Sequence, residues 1–362
     1  MFKNYLKTAF RNLRRNKIYS FINLLGLSVG ITCALLLYLY IQDERSYDQY
    51  HPKAEQIYRY TTRWDFSGQI QHSTNNSGRL AKAVKEQFPE VAQALRVQEQ
   101  GRQLVEHNKK FFNFRRFQYV DPNYFQFFSH QFVEGNAKNA LKNPDQVVLT
   151  ESIAKKLFGR AKGTLGKTFL LNDRHTVKVS GVIKDVKSNT HLRANAFISI
   201  ATLDKDEARL TEWNSYGNCT TYLMVKANTS VDQLEKKASV WYQKNVVKDN
   251  EVKTQAYLQP LTEIHLHSRQ MEGEQHRGNI KQVYAIMLIV IFVLLIAAIN
   301  YINLATSRSL HRAKEVGIRK VMGSYRSQLI GQFLSESFLT IIAALLFSLS
   351  LAELLLPAFN KL

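Results

Sequence analysis

The chain has 362 residues, enough for two or three ordinary domains, and carries 49 Lys and Arg against 29 Asp and Glu, a net charge of +20. On a wholly soluble chain such an excess would point to a polyanion. More than half of it flanks three long apolar runs, and no nucleic-acid-binding signature accompanies it, so no nucleic-acid partner is expected. Two cysteines, Cys33 inside the first apolar run and Cys219 far downstream, offer no disulfide framework.

At the N-terminus, Phe2, Tyr5, Leu6, Ala9, Phe10 and Leu13 recur at helical spacing, with Lys3, Lys7, Arg11 and Arg14 on the other side. This predicts a basic amphipathic helix over residues 1–17, lying on membrane lipid at the cytoplasmic interface. Residues 18–42 follow as a first transmembrane helix, too long for a secretory signal and with no small-residue cleavage site after it. Asn23, Gly26, Ser28, Gly30 and Thr32 along this run are small or polar, which predicts close packing against another helix. Bases before the run and Asp43 and Glu44 after it place the N-terminus inside.

Residues 43–281 read as a large α+β extracytoplasmic domain of two intertwined subdomains, since no composition break separates them. IYRYTTRWDF and HTVKVSGVIKDV alternate with period two, as strands do. SGRLAKAVKEQF and TESIAKKLFG have helical period, with Ser77 and Thr150 as N-caps and with Phe88-Pro89 and Gly159 as stops. A second strand and helix follow in TYLMVKAN and SVDQLEKKASVWYQKN.

Two motifs in this region imitate binding sites. Ala161-Lys-Gly-Thr-Leu-Gly166-Lys167-Thr168 fits a relaxed phosphate loop, but such a loop leaves a strand and opens a helix, and here the order is reversed. A glycine-rich turn is expected instead. In EIHLHS, His265 and His267 would share one face of a strand as a pair of metal ligands, but no acid or cysteine completes a set at close spacing. No catalytic residue, cofactor or metal is expected anywhere in the chain.

Residues 282–307 contain no charged side chain over 26 positions and read as a second transmembrane helix. The segment 308–327 then carries Arg308, Arg312, Lys314, Arg319, Lys320 and Arg326 against Glu315, which marks the cytoplasmic side. Leu310, Ala313, Val316, Gly317 and Val321 could line one side of a short helix there, with Gly323 as its stop. Such a helix suits docking into a groove of a cytoplasmic partner, and a basic loop resting on headgroups accounts for the charge equally well. Residues 328–357 form a third span holding Glu336 and Glu353, which we expect near its ends, reaching headgroups or basic neighbours. Residues 358–362 lie outside.

INYINLATSRSLHRAKEVGIRKVMGSYRSQLIGQFLSES resembles the signature of FtsX-like permeases of ABC transporters. RNLRRNKIYSFINLLGLSVGI, FVEGN, VVLTESIAKKLFG, GKTFLLN and VSGVIKDV resemble the MacB-type periplasmic core domain found in such permeases, in the same order along the chain. The resemblance implies a multi-pass protein of a bacterial inner membrane with its large domain in the periplasm. It also implies a cytoplasmic ABC ATPase partner, whose motion passes through the short helix to the periplasmic domain for export or extraction of a substrate, and a second permease copy or half. The ATPase-docking residues would be Ala313, Lys314, Glu315, Gly317, Arg319 and Lys320, matching the family's A-K-E-x-G-x-R-K core; ATP hydrolysis would belong to the partner. Family units have four spans where this chain offers three, which implies a shortened copy or a half. The alternative is a membrane-anchored sensor or scaffold without an ATPase.

Overall fold

The computed structural model describes residues 17–203, 212–213, 219–247, 252–268, 271–272, 278–311, 313–323 and 325–360. The amphipathic helix expected over residues 1–17 lies, but for its last residue, outside them. The chain divides into two compact units, one of residues 44–279 and one made by the segments on either side.

In the flanking unit, α1 (Lys17–Arg45) precedes the 44–279 unit. The elements of that unit are β1 (Ile57–Phe66), β2 (Gln69–Ser73), α2 (Leu80–Gln87), β3 (Val91–His107), β4 (Lys110–Val120) and α3 (Tyr124–Phe127). They continue with β5 (Phe132–Glu134), β6 (Gln146–Thr150), α4 (Glu151–Phe158), β7 (Thr168–Leu171), β8 (His175–Ile183) and β9 (Ala196–Ser199). Last come β10 (Thr220–Val225), α5 (Val231–Tyr242), β11 (Val252–Pro260), α6 (Ile264–His267) and β12 (Met271–Glu272). The flanking unit then resumes with α7 (Ile280–His311), α8 (Ala313–Val321) and α9 (Arg326–Phe359).

Among the described residues, twelve strands join one mixed sheet in the order β12-β2-β1-β10-β3-β4-β9-β6-β8-β5, with β11 on the other edge of β1 and β7 bridging β3 and β8. The long β3–β4 ladder runs from Val97↔Val120 to His107↔Lys110 and carries the sheet from one end to the other. Several strands are buried on both faces, which is why they read as continuous apolar runs. Along β10, Tyr222 and Met224 enter one core while Leu223 and Val225 enter another. On β6, Val148 faces the first core and Val147 and Leu149 face a third.

Helical spacing supplies the lids. Leu234, Ala238 and Tyr242 of α5, four residues apart, join Leu80 and Val84 of α2 over β1, β10 and β11. Ile153, Ala154 and Leu157 of α4 cover the β6–β8 end. A buried Leu or Val contributes roughly 1.5–3 kcal/mol, whereas an exposed helix pair such as Lys155–Glu151, 2.8 Å apart, contributes roughly 0.3–0.5 kcal/mol. The cores therefore hold this unit.

Two caps differ from expectation. The N-cap of α2 is Arg79, and Ser77 forms a turn before it, accepting the Arg79 N–H at 3.2 Å on its hydroxyl. Thr150 does sit at the N-cap of α4, but its hydroxyl makes no cap; Asp185, distant in sequence, accepts the Ser152 N–H at 3.0 Å instead.

The turn at residues 161–168 runs from α4 to β7, in the reverse of phosphate-loop order. Its amides are already occupied: the Glu134 carboxylate accepts the Gly163 and Thr164 N–H groups, the latter at 3.1 Å. Gly135 beside it has φ +80°, and a Cβ there would lie 2.7 Å from the Ser180 carbonyl oxygen. Asn136 closes the next turn by accepting the Lys138 and Asn139 N–H groups. FVEGN is thus a structural clasp.

Candidate functional site

The predicted docking residues Ala313, Lys314, Glu315, Gly317, Arg319 and Lys320 all lie on α8, a nine-residue helix between α7 and α9. The Met322 N–H returns to the Ile318 carbonyl at 3.0 Å and the Gly323 N–H to that of Lys320 at 3.1 Å, with Gly323 at φ +88°. The stop is a left-handed glycine closure. Along this helix Val316 is half-buried, while Gly317 and Lys320 are exposed. Ile318, Val321 and Met322 are 61%, 90% and 82% exposed, and Tyr325, beyond the Gly323 stop, is 74% exposed. Spacings of three and four residues put Ile318, Val321 and Met322 on one face, the Met322 N–H still bonded to the Ile318 carbonyl.

Helices α1, α7 and α9 are each long and apolar enough to cross a membrane. They touch through the small and polar residues of α1. A Cβ on Gly30 would lie 2.6 Å from Ala297 Cβ, and one on Gly26 would lie 3.0 Å from Asn300 Nδ2, so both glycines let α7 approach. On α9, the Ala344 carbonyl accepts the Ser28 hydroxyl and the Ser348 carbonyl accepts that of Thr32, each at 3.2 Å. The partner helix expected for this face is therefore supplied by the chain itself. On α9, Glu336 Oε1 accepts from Gln332 Nε2 at 3.4 Å, and Glu353 is exposed.

Sequence reasoning missed a buried polar network directly after α1. Asp48, fully buried at φ +59°, accepts the Thr190 hydroxyl, the His191 N–H at 3.2 Å and His191 Nδ1–H at 2.7 Å. His191 Nε2 meets the Tyr222 hydroxyl of β10 at 2.8 Å. Burial works to raise the Asp48 carboxyl, but the charge of His191 and the hydrogen bonds from His191 and Thr190 outweigh it and hold the pKa below its ordinary value. The segment leaving α1 is thus locked to the sheet. Its partners lie 143 residues apart in sequence, and no local pattern announces them.

His265 and His267 do not form a pair. EIHLHS folds as α6, where residues two apart point different ways. His265 is buried, its Nε2 3.0 Å from Glu44 Oε2, and its ring stacks on Tyr47, while His267 is exposed. No group of three or more potential metal ligands occurs among the described residues.

Comparison with known proteins follows this geometry. The family model of the MacB-like periplasmic core domain matches residues 20–239, and that of the FtsX-like permease C-terminal region matches residues 287–362. Among solved structures, a domain assigned to a permease protein of Porphyromonas gingivalis matches with a TM-score of 0.52 at 20% identity, covering 59% of this chain and 92% of that one. The periplasmic region of MacB from Actinobacillus actinomycetemcomitans gives 0.37 at 16% identity, covering 54% and 87%. The extracellular domain of the ABC-type transporter YknZ from Gram-positive bacteria gives 0.39 at 13%, covering 54% and 98%. No curated protein matches.

Proposed function

Because the chain belongs to the family that joins a MacB-like periplasmic core domain to an FtsX-like permease region, we propose that it is the membrane subunit of an ABC transporter and passes the motion of a separate cytoplasmic ATPase to its core domain. The observation that carries this reading is the stripe of Ile318, Val321 and Met322, exposed on a short helix that also bears Lys314, Glu315, Arg319 and Lys320. Large apolar side chains held out from the fold suit a groove on a protein partner. A segment bound only to headgroups would need the charges and not a continuous stripe ending in a rigid stop.

In this reading residues 18–42, 282–307 and 328–357 span the inner membrane, with 1–17 and 308–327 in the cytoplasm and 43–281 in the periplasm. The large exposed apolar side chains of α7, among them Ile289, Phe292, Leu295, Ile296 and Ile299, support lipid as its surroundings. The core domain works as two subdomains joined through β3 and β4, a division supported by separate cores under α2 and α5 and under α4. A second copy or half completes the transporter, and the ATPase performs the hydrolysis.

The test is a pull-down of the full chain in detergent against the cytoplasmic ATPases of its own cell. Capture of one ATPase by the native chain, lost in Arg319→Glu and in Val321→Glu, is expected. If no ATPase is captured, the sensor or scaffold reading takes its place; if capture survives both changes, α8 is not the docking surface.

A further inference from the structure

Midway along the β3–β4 ladder, Arg102 stands directly opposite Arg115. Like charges in that relation destabilise a strand pair. Among the described residues, no carboxylate lies within ion-pair distance of either one. The next residue, Arg116, has φ +65°, a left-handed conformation uncommon for a long side chain. Asn195 fixes that bend, donating its N–H to the Arg116 carbonyl at 2.8 Å and its Nδ2–H to the Arg115 carbonyl at 3.0 Å. Two residues earlier, Arg193 brings a fourth guanidinium, held by the Thr190 carbonyl at 3.3 Å and lying over the Tyr47 ring.

All four arginines line one cavity of about 380 Å³, together with Glu99 and Gln118. Gln118 is 1% exposed; its Nε2 donates to Glu99 at 3.1 Å, and its Oε1 accepts no hydrogen bond. A cavity of this size takes a small molecule. Its chemistry asks for anionic oxygens to meet the forked guanidinium donors. A phosphate group carries about −1.5 to −2 charges at neutral pH when it is a monoester, which answers several guanidiniums better than one carboxylate does.

We propose that this cavity binds a small phosphate-bearing molecule, its phosphate held by Arg102, Arg115 and Arg116. The ligand is either a free phosphomonoester or the phosphodiester headgroup of a lipid, since both offer anionic phosphate oxygens to the guanidiniums. The site stands apart from the ATPase-coupling reading, and neither needs the other.

The test is calorimetric titration of the full chain in neutral detergent, with glucose 6-phosphate in one arm and phosphatidylglycerol in mixed micelles in the other. Saturable binding in the first arm identifies a free ligand and in the second a headgroup; either supports the site. Arg116→Gly should weaken the binding at least about tenfold, the worth of one charge-assisted contact, while glycine adopts the same backbone without strain. Arg102→Gln should weaken it similarly and, without ligand, raise the melting temperature by relieving the Arg102–Arg115 repulsion. Glucose alone should not compete. Failure of both probes to bind at millimolar concentration, or binding unchanged in both variants, would overturn the proposal.

Discussion

Replacing Gly30 by Ala tests whether α1 and α7 are held together by close approach. The added Cβ would sit 2.6 Å from Ala297 Cβ, about 1 Å short of the 3.5–4.0 Å at which carbon atoms rest. Neither atom can rotate away, so the helices must part or slide. Parting by about 1 Å forfeits a quarter to a half of each dispersion contact along the seam, and overpacking of this kind costs about 1–3 kcal/mol. That corresponds to a roughly 5- to 150-fold change in the folded-to-unfolded ratio. The assay is unfolding of the detergent-solubilised chain by increasing dodecyl sulfate, followed by helical circular dichroism. Gly30→Ala should unfold earlier, and adding Ala297→Gly should recover most of the loss, since the second change removes the atom struck by the first. A double-mutant cycle isolates that coupling. If Gly30→Ala is neutral, or if Ala297→Gly adds a further loss with no recovery, the seam is not set by this contact.

Acid should loosen the core domain through His51. Burial pushes this histidine down from 6.5 to about 4, with Asp48 opposing and His191 and Lys187 reinforcing, and Nδ1 accepts the Ser129 N–H at 3.1 Å. The unfolded chain therefore binds the proton first, so the stability is present above pH 6.5 and lost as pH falls toward 4. The loss between pH 7 and 5 is about 2 kcal/mol; a His51→Gln variant, compared by denaturant unfolding at both values, should show a smaller difference by about that amount. Glu134→Ala should cost about 1–2 kcal/mol, because two turn amides exchange a carboxylate for water, and should make the 161–168 turn more open to proteolysis. An unchanged cleavage rate there would show that the clasp is dispensable.

Local physics was legible in the chain, and long-range closure was not. Strand β1 coincides with the alternating IYRYTTRWDF, and α4 ends at Gly159 with φ +74°, because alternation and a left-handed stop are written in neighbouring residues. The reversed helix-to-strand order around 161–168 was enough to exclude a phosphate loop; the reason its amides are quiet, Glu134, lies almost thirty residues away. In EIHLHS the two histidines would share a face only on a strand, but the segment folds as α6, and the Tyr47 ring that stacks on His265 comes from a distant segment. The same limit hid the exposure of Ile318 and Met322, which depends on what the rest of the unit leaves uncovered. It also hid the arginine cavity: Arg102 and Arg115 look like ordinary solvated charges until the ladder register sets them face to face. Binding chemistry in this domain is therefore created by strand register, and a one-residue slip of β4 against β3 would dissolve the cavity while leaving every local propensity intact.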